Sequence, residues 1–148
     1  MYCTAIGFLA ILPMPDVFTK AKRSEVMSRI KGRGNKETEL VLARLFRAEG
    51  ITGWRRHAAL VGRPDFTFGE RRVVVFVDGC FWHMCPKHFN MPANNRAFWN
   101  KKLTANQARD RLVTRTLRST GWRVIRIWEH ELCKPARVLV RIRAALGS

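Results

Sequence analysis

Cysteine is scarce in this 148-residue chain, and so is histidine, with four of each. Yet Cys80, His83, Cys85 and His88 share one short window, while Cys3, Cys133, His57 and His130 stand apart. Thiols in a reducing compartment stay reduced, and a mixed Cys/His cluster there reads as a set of metal ligands more readily than as disulfides. The spacing suits zinc. Cys80, Cys85 and His88 can come from a single loop as three tetrahedral N/S ligands, and a distant fourth then closes the site. His130 or Cys133, just past a predicted strand, supplies that fourth ligand. The plainer alternative is a set of buried cysteines beside a surface histidine, but buried cysteines rarely cluster with histidine at ligand spacing. No ligand position is left open, so a structural zinc is expected.

A second chemistry is suggested by carboxylates. Asp65 follows Gly62-Arg63-Pro64 at a predicted strand start, where it could hold a hard cation such as Mg²⁺. Asp78 ends the next strand, and Glu39 lies on the inward side of a helix. Acidic side chains converging inside a strongly basic protein suggest metal-assisted phosphodiester hydrolysis. Alternatively, Asp65 only caps a turn, since Pro-Asp is a common turn pair. Phe81-Trp82-His83 lies between two of the zinc candidates. The two aromatics either roof the core or insert between base steps as a wedge. His83 is a candidate general base if the loop folds back toward the carboxylates; otherwise it is a zinc ligand or a hydrogen-bonding histidine.

The elements that must position these residues can be read in order. Residues 16–34 are basic and turn-rich. Asn35 is a good N-cap for a helix running to Glu49 and stopping at Gly50. Its core positions are Leu42, Leu45 and Phe46, and Glu39 shares their side, so this inward carboxylate requires a partner. Asp65 to Phe68 and Arg72 to Asp78 form a hairpin around Gly69-Glu70. That arrangement makes Asp65 a neighbour of the Val77-Asp78 end. Val73 to Val77 is apolar on both faces, as befits a central strand covered on both sides. A loop over about 79–93 carries the Cys/His cluster. A helix from about Asn95 to Ser119, a strand from Trp122 to Trp128 and a helix from Pro135 to Leu146 complete an α/β domain with a mixed sheet.

Charge names the partner class. Lys+Arg 28 against Asp+Glu 11 gives +17, on a composition 47% hydrophobic and 26% charged that suits one folded domain with one core. Such a surplus points to a polyanion, foremost nucleic acid, and away from small acidic substrates. No basic amphipathic helix marks a membrane partner. The apolar run Ala5 to Pro13 is too short to span a bilayer and poorly built as a signal peptide. Met14 is therefore expected to be the biological start. Residues 1–18 are read as an N-terminal extension, 19–148 as one domain, and the location as cytoplasmic.

Several ordered segments then converge on one family. They are Arg23-Ser24, Met27 to Gly32, Gly62 to Phe66, Phe76 to His83, Cys85-Pro86, His88, Phe98-Trp99, Asn106, Arg109-Asp110, Gly121 to Val124 and Trp128-Glu129. From about Thr19 to Leu132 the chain resembles the Vsr, or very-short-patch-repair, DNA mismatch endonucleases. The resemblance implies a restriction-endonuclease-like fold: a mixed central β-sheet flanked by helices, with a structural zinc site. It implies Mg²⁺-dependent nicking of duplex DNA 5′ of the T in T:G mismatches left by deamination of 5-methylcytosine. In that family the residue at Asp65 ligates Mg²⁺ together with the backbone carbonyl at Val77. His83 is the general base, assisted by Glu39 and the residue at Asp78. Met27, Phe81 and Trp82 form the DNA wedge, with Trp99 near the mismatch. Zinc is held by Cys80, Cys85, His88 and a ligand at position 130, where the family usually has Cys and this chain has His130. One extra residue after Met27 leaves Glu37 as a competitor of Glu39, and position 78 varies in the family between Asp and His. A MutL-type repair protein and a cytosine methyltransferase system are implied as partners of a nucleoid-associated bacterial monomer.

Overall fold

The computed structural model describes residues 38–147. Helix α1 spans Glu39–Ala48, strands β1, β2 and β3 span Trp54–Arg56, Phe66–Phe68 and Val73–Asp78, and helix α2 spans Arg96–Ser119. Strand β4 (Arg123–Trp128), a 3₁₀ turn (Glu129–Cys133) and helix α3 (Pro135–Leu146) follow. The basic segment, the Asn35 cap, Met27 and Glu37 lie outside the described residues, as do the expected start at Met14 and Cys3.

The strands form one sheet in the order β1-β2-β3-β4. Strand β2 pairs antiparallel with both β1 and β3, and β4 runs parallel to β3. A parallel neighbour requires a crossover, and α2 supplies it. Val73 and Val75 of β3 pack with Leu42 and Phe46 of α1 and with Val138 and Ile142 of α3. Val74 and Phe76 point the other way, onto Val113 and Leu117 of α2. The expected central strand, apolar on both faces, is thus sandwiched between two helical layers. Phe46 anchors the larger core, with ring centroids 5.1 Å from Phe66 and 5.7 Å from Phe68.

Differences from the sequence reading have local causes. Strand β3 begins at Val73 because Arg72 has φ 51°, a left-handed conformation that completes the hairpin turn. Strand β4 begins at Arg123, since the Trp122 amide returns to the Leu117 carbonyl at the end of α2. Strand β1 escaped sequence analysis altogether: three residues, Trp-Arg-Arg, are too few to establish a period.

The hairpin is seated by Gly62, with φ +74°. A Cβ there would lie 2.3 Å from Val113 Cγ1, so α2 passes directly over the chain just before Arg63-Pro64-Asp65. Gly62→Ala combines a disfavoured backbone with overpacking and is expected to cost about 2–4 kcal/mol in urea denaturation. At Gly69 an added Cβ meets nothing within 4 Å, so Gly69→Ala should remain within about 0.5 kcal/mol of the parent.

Candidate functional site

The chemistry-bearing residues gather at one end of the sheet. Strand β1 ends where β2 begins, since Arg56 pairs with Phe66, and the His57 amide donates to the Asp65 carbonyl at 3.4 Å. Strand β3 ends beside them. The Val77 amide donates to Asp65 Oδ2 at 2.7 Å, which brings together the neighbours expected from the antiparallel hairpin. From the helical layer, Glu39 opens α1 and is almost fully buried. Its Oε1 accepts from Arg56 Nε at 2.6 Å, with Arg56 Nη2 also against it. This is the partner that an inward carboxylate requires. Glu39, His57 and Asp65 offer ligand atoms all within 4.8 Å of one another.

Within this group, the surroundings of Asp65 disfavour its charged form. Burial pushes the Asp65 carboxyl up to about 6; the Val77 amide works against that, while Glu39 and Asp78 add repulsion. Such a site gains by binding a cation, and the two carboxylates match a hard divalent ion.

A second group adjoins it. Asp78 is buried, and both its oxygens accept from Arg126 Nη1, at 2.9 and 2.8 Å. Burial raises the Asp78 pKa despite the opposing pull of Arg126 and His83. Arg126 also reaches Asp110 Oδ1 at 3.2 Å from α2. His83 Nδ1 lies 2.5 Å from Asp110 Oδ2 and 3.8 Å from Asp78 Oδ1. Burial disfavours the imidazolium, but Asp110 and Asp78 outweigh it, so the His83 pKa is raised. Asp110 is lowered: its burial is overcome by His83 and Arg126. With Nδ1 committed to Asp110, Nε2 is the atom of His83 left to exchange a proton.

The loop after β3 gathers a third group. Cys80, Cys85, His88 and His130 also have ligand atoms within 4.8 Å of one another. Cys80 Sγ and Cys85 Sγ lie 3.2 and 3.6 Å from His130 Nδ1, and Cys85 Sγ is 3.8 Å from His88 Nδ1. Tetrahedral bonds of about 2.1–2.3 Å place neighbouring ligands about 3.4–3.8 Å apart, so two thiols and two imidazoles at these separations fit zinc. Burial pushes the Cys80 thiol up to about 12; a nearby cation would be needed to hold it as thiolate. Cys133 is exposed and stands outside this group. Glu129 Oε1 accepts the Cys80 amide at 2.9 Å, tying the loop to the end of β4.

Phe81 and Trp82 belong to neither core cluster. They form a half-buried aromatic surface with Trp99, at centroid separations of 5.2, 5.3 and 6.1 Å. Phe98 extends it, 5.3 Å from Trp99 and 57% exposed. Lys102 sits over Trp82 and Phe98. This surface suits stacking against bases.

His57, Arg56, Asp110 and Arg126 were missed as site residues. Recognising β1 would have exposed the first two, because its register puts His57 opposite Asp65. Asp110 lies in the Arg109-Asp110 segment of the family resemblance but was given no role, and Arg126 carried no local signal, for the two meet only after α2 crosses the sheet.

A mixed sheet flanked by helices, with acidic groups at one end, defines an α/β nuclease architecture. Residues 15–90 match the family model described as DNA mismatch endonuclease Vsr. The DNA mismatch endonuclease Vsr of Escherichia coli (strain K12) is 41% identical over 78% of this chain and 74% of its own length. The type II nicking enzyme V.NmeAIP of Neisseria meningitidis is 39% identical over 80% of the chain and 85% of that protein. V.NaeI of Lentzea aerocolonigenes, also a type II nicking enzyme, is 52% identical over 47% of the chain, a match spanning 42% of that relative. The chain belongs to the Vsr family and is a DNA endonuclease. Among the described residues, no helix is long and apolar enough to cross a membrane.

Two predictions follow from these groups. Because folding raises Asp65 to about 6, the folded state binds more protons than the unfolded state between about pH 4 and 6, so this residue's contribution to stability falls as pH rises through that window. Asp65→Asn should remove that fall and, without added divalent cation, stabilise the fold at pH 7 by about 1–2 kcal/mol in thermal melts. X-ray absorption at the zinc edge should give two sulfur and two nitrogen ligands; three sulfurs would instead bring in Cys133.

Proposed function

We propose that the chain is a Mg²⁺-dependent endonuclease that nicks duplex DNA 5′ of the T in T:G mismatches, as in very-short-patch repair of deaminated 5-methylcytosine. The observation that carries this reading is the placement of Asp65 and Glu39 beside the Asp110–His83 pair, at the end of the sheet that also bears the aromatic surface. Asp65 and Glu39, with the Val77 carbonyl, would hold the cation, which would supply charge neutralisation at the scissile phosphate. His83 Nε2 takes the proton of the attacking water, and Asp110 fixes the ring and steadies its charged form. Asp78 acts on His83 from a distance and is held back by Arg126. Cys80, Cys85, His88 and His130, holding zinc, would keep the His83 loop in place.

Recognition follows from the same surface. A wobble pair is less well held than a matched pair, so unstacking there costs less. Phe81, Trp82 and Trp99, with Met27 beyond the described residues, would sense that weakness as a wedge, while lysines and arginines provide most of the affinity through phosphates.

A strand-resolved assay on matched and T:G duplexes tests this reading. Cutting of the T strand alone is expected, with Asp65→Ala lowering the rate at least about 10³-fold while binding persists. Equal cutting of matched duplex would reject mismatch specificity. Salt-sensitive binding with no cleavage, unaffected by Asp65→Ala, would leave a zinc-stabilised binding module in its place.

A further inference from the structure

Among the described residues, two buried side-chain polar atoms have no hydrogen-bond partner, His57 Nε2 and Thr67 Oγ1. Nothing in the structure explains the second. The first lies in the carboxylate group. His57 Nε2 is 2.7 Å from Glu39 Oε1, a hydrogen-bond distance, yet the ring is not oriented to donate to that oxygen. A shared cation accounts for the closeness, because adjacent octahedral ligands at about 2.1 Å from an ion sit about 3 Å from each other.

The backbone agrees. His57 has φ 51°, a left-handed conformation disfavoured for residues with a Cβ and taken more readily by glycine or asparagine. Arg56 holds the same Glu39 oxygen, so the carboxylate is fixed without any donation from His57.

We propose that His57 is a third direct ligand, through Nε2, of the divalent cation held at Asp65 and Glu39, and that it tilts the site toward Mn²⁺ over Mg²⁺. The inference rests on the reading of Asp65 and Glu39 as the cation centre. Oxygen ligands alone suit Mg²⁺ and Ca²⁺, whereas an imidazole nitrogen favours first-row transition ions. With the Val77 carbonyl, the resulting donor set of three oxygens and one nitrogen leaves room for water and for a phosphate oxygen.

The test uses the full chain, zinc-replete and loaded with Mn²⁺. Pulsed electron paramagnetic resonance should detect a histidine nitrogen coupled to Mn²⁺ in the parent and in His83→Asn, and not in His57→Asn. Asparagine tolerates the left-handed backbone, so the variant should melt with the parent. Titration should show Mn²⁺ affinity reduced about tenfold in His57→Asn, with Mg²⁺ affinity changed much less. Coupling that survives His57→Asn, or an unchanged Mn²⁺:Mg²⁺ affinity ratio, overturns the assignment. Asp65→Asn separates the two levels. If it abolishes Mn²⁺ binding and nicking while His57→Asn keeps the nitrogen signal, the cation centre stands and His57 is not its ligand. If it spares both, the reading of the centre itself fails.

Discussion

The hydrogen bond from the Val77 amide to the Asp65 carboxylate joins the beginning of β2 to the end of β3. A peptide N–H at the end of a central strand would otherwise need a partner, and an aspartate before an edge-proximal strand would otherwise face water. Each resolves the other's need. The bond also orients the carboxylate, so that it points across the sheet end toward Glu39 and His57. Hairpin register, set by Phe66 opposite Val75, therefore decides where the Asp65 carboxylate lies. A one-residue slip would turn Phe66 out of the core and carry Asp65 away from its donor.

Four of the protein's 11 acidic residues, Glu39, Asp65, Asp78 and Asp110, meet in this region. Each is countered differently. Arg56 neutralises Glu39, and Arg126 bridges Asp78 and Asp110. Asp65 has a backbone amide in place of a cationic side chain, and burial, which the amide opposes only in part, raises its pKa. These carboxylates sit together in a chain whose net charge is +17.

Much of this was legible in the sequence, for identifiable reasons. The apolar run of β3 announced a two-sided strand, the Cys80–His88 spacing announced a loop whose thiols and imidazole come together, and Pro135 marked the start of α3 to the residue. Glu39 on the apolar side of α1 correctly demanded a partner. That partner stayed hidden because Arg56 sits on a three-residue strand without periodicity. The Asp78–Arg126–Asp110–His83 network was also hidden, since its members come from β3, β4, α2 and the loop, and local pattern carries no information about a crossover. Whether Phe81 and Trp82 roof the core could not be judged from composition either; it depends on where the loop leaves the sheet.

The antiparallel and parallel pairings together have one more consequence. The end of β1, the start of β2 and the ends of β3 and β4 all lie on the same side of the sheet. The opposite side holds the Gly69–Arg72 turn and the Gly121 corner, where Arg72 Nη1 donates to the Thr120 carbonyl. Among the described residues, that far rim holds no member of the three side-chain groups at the opposite end. It is a neutral margin for evolution: loops there can lengthen or acquire new contacts while the working end stays intact, which gives one scaffold a route to diversify what surrounds a fixed reaction.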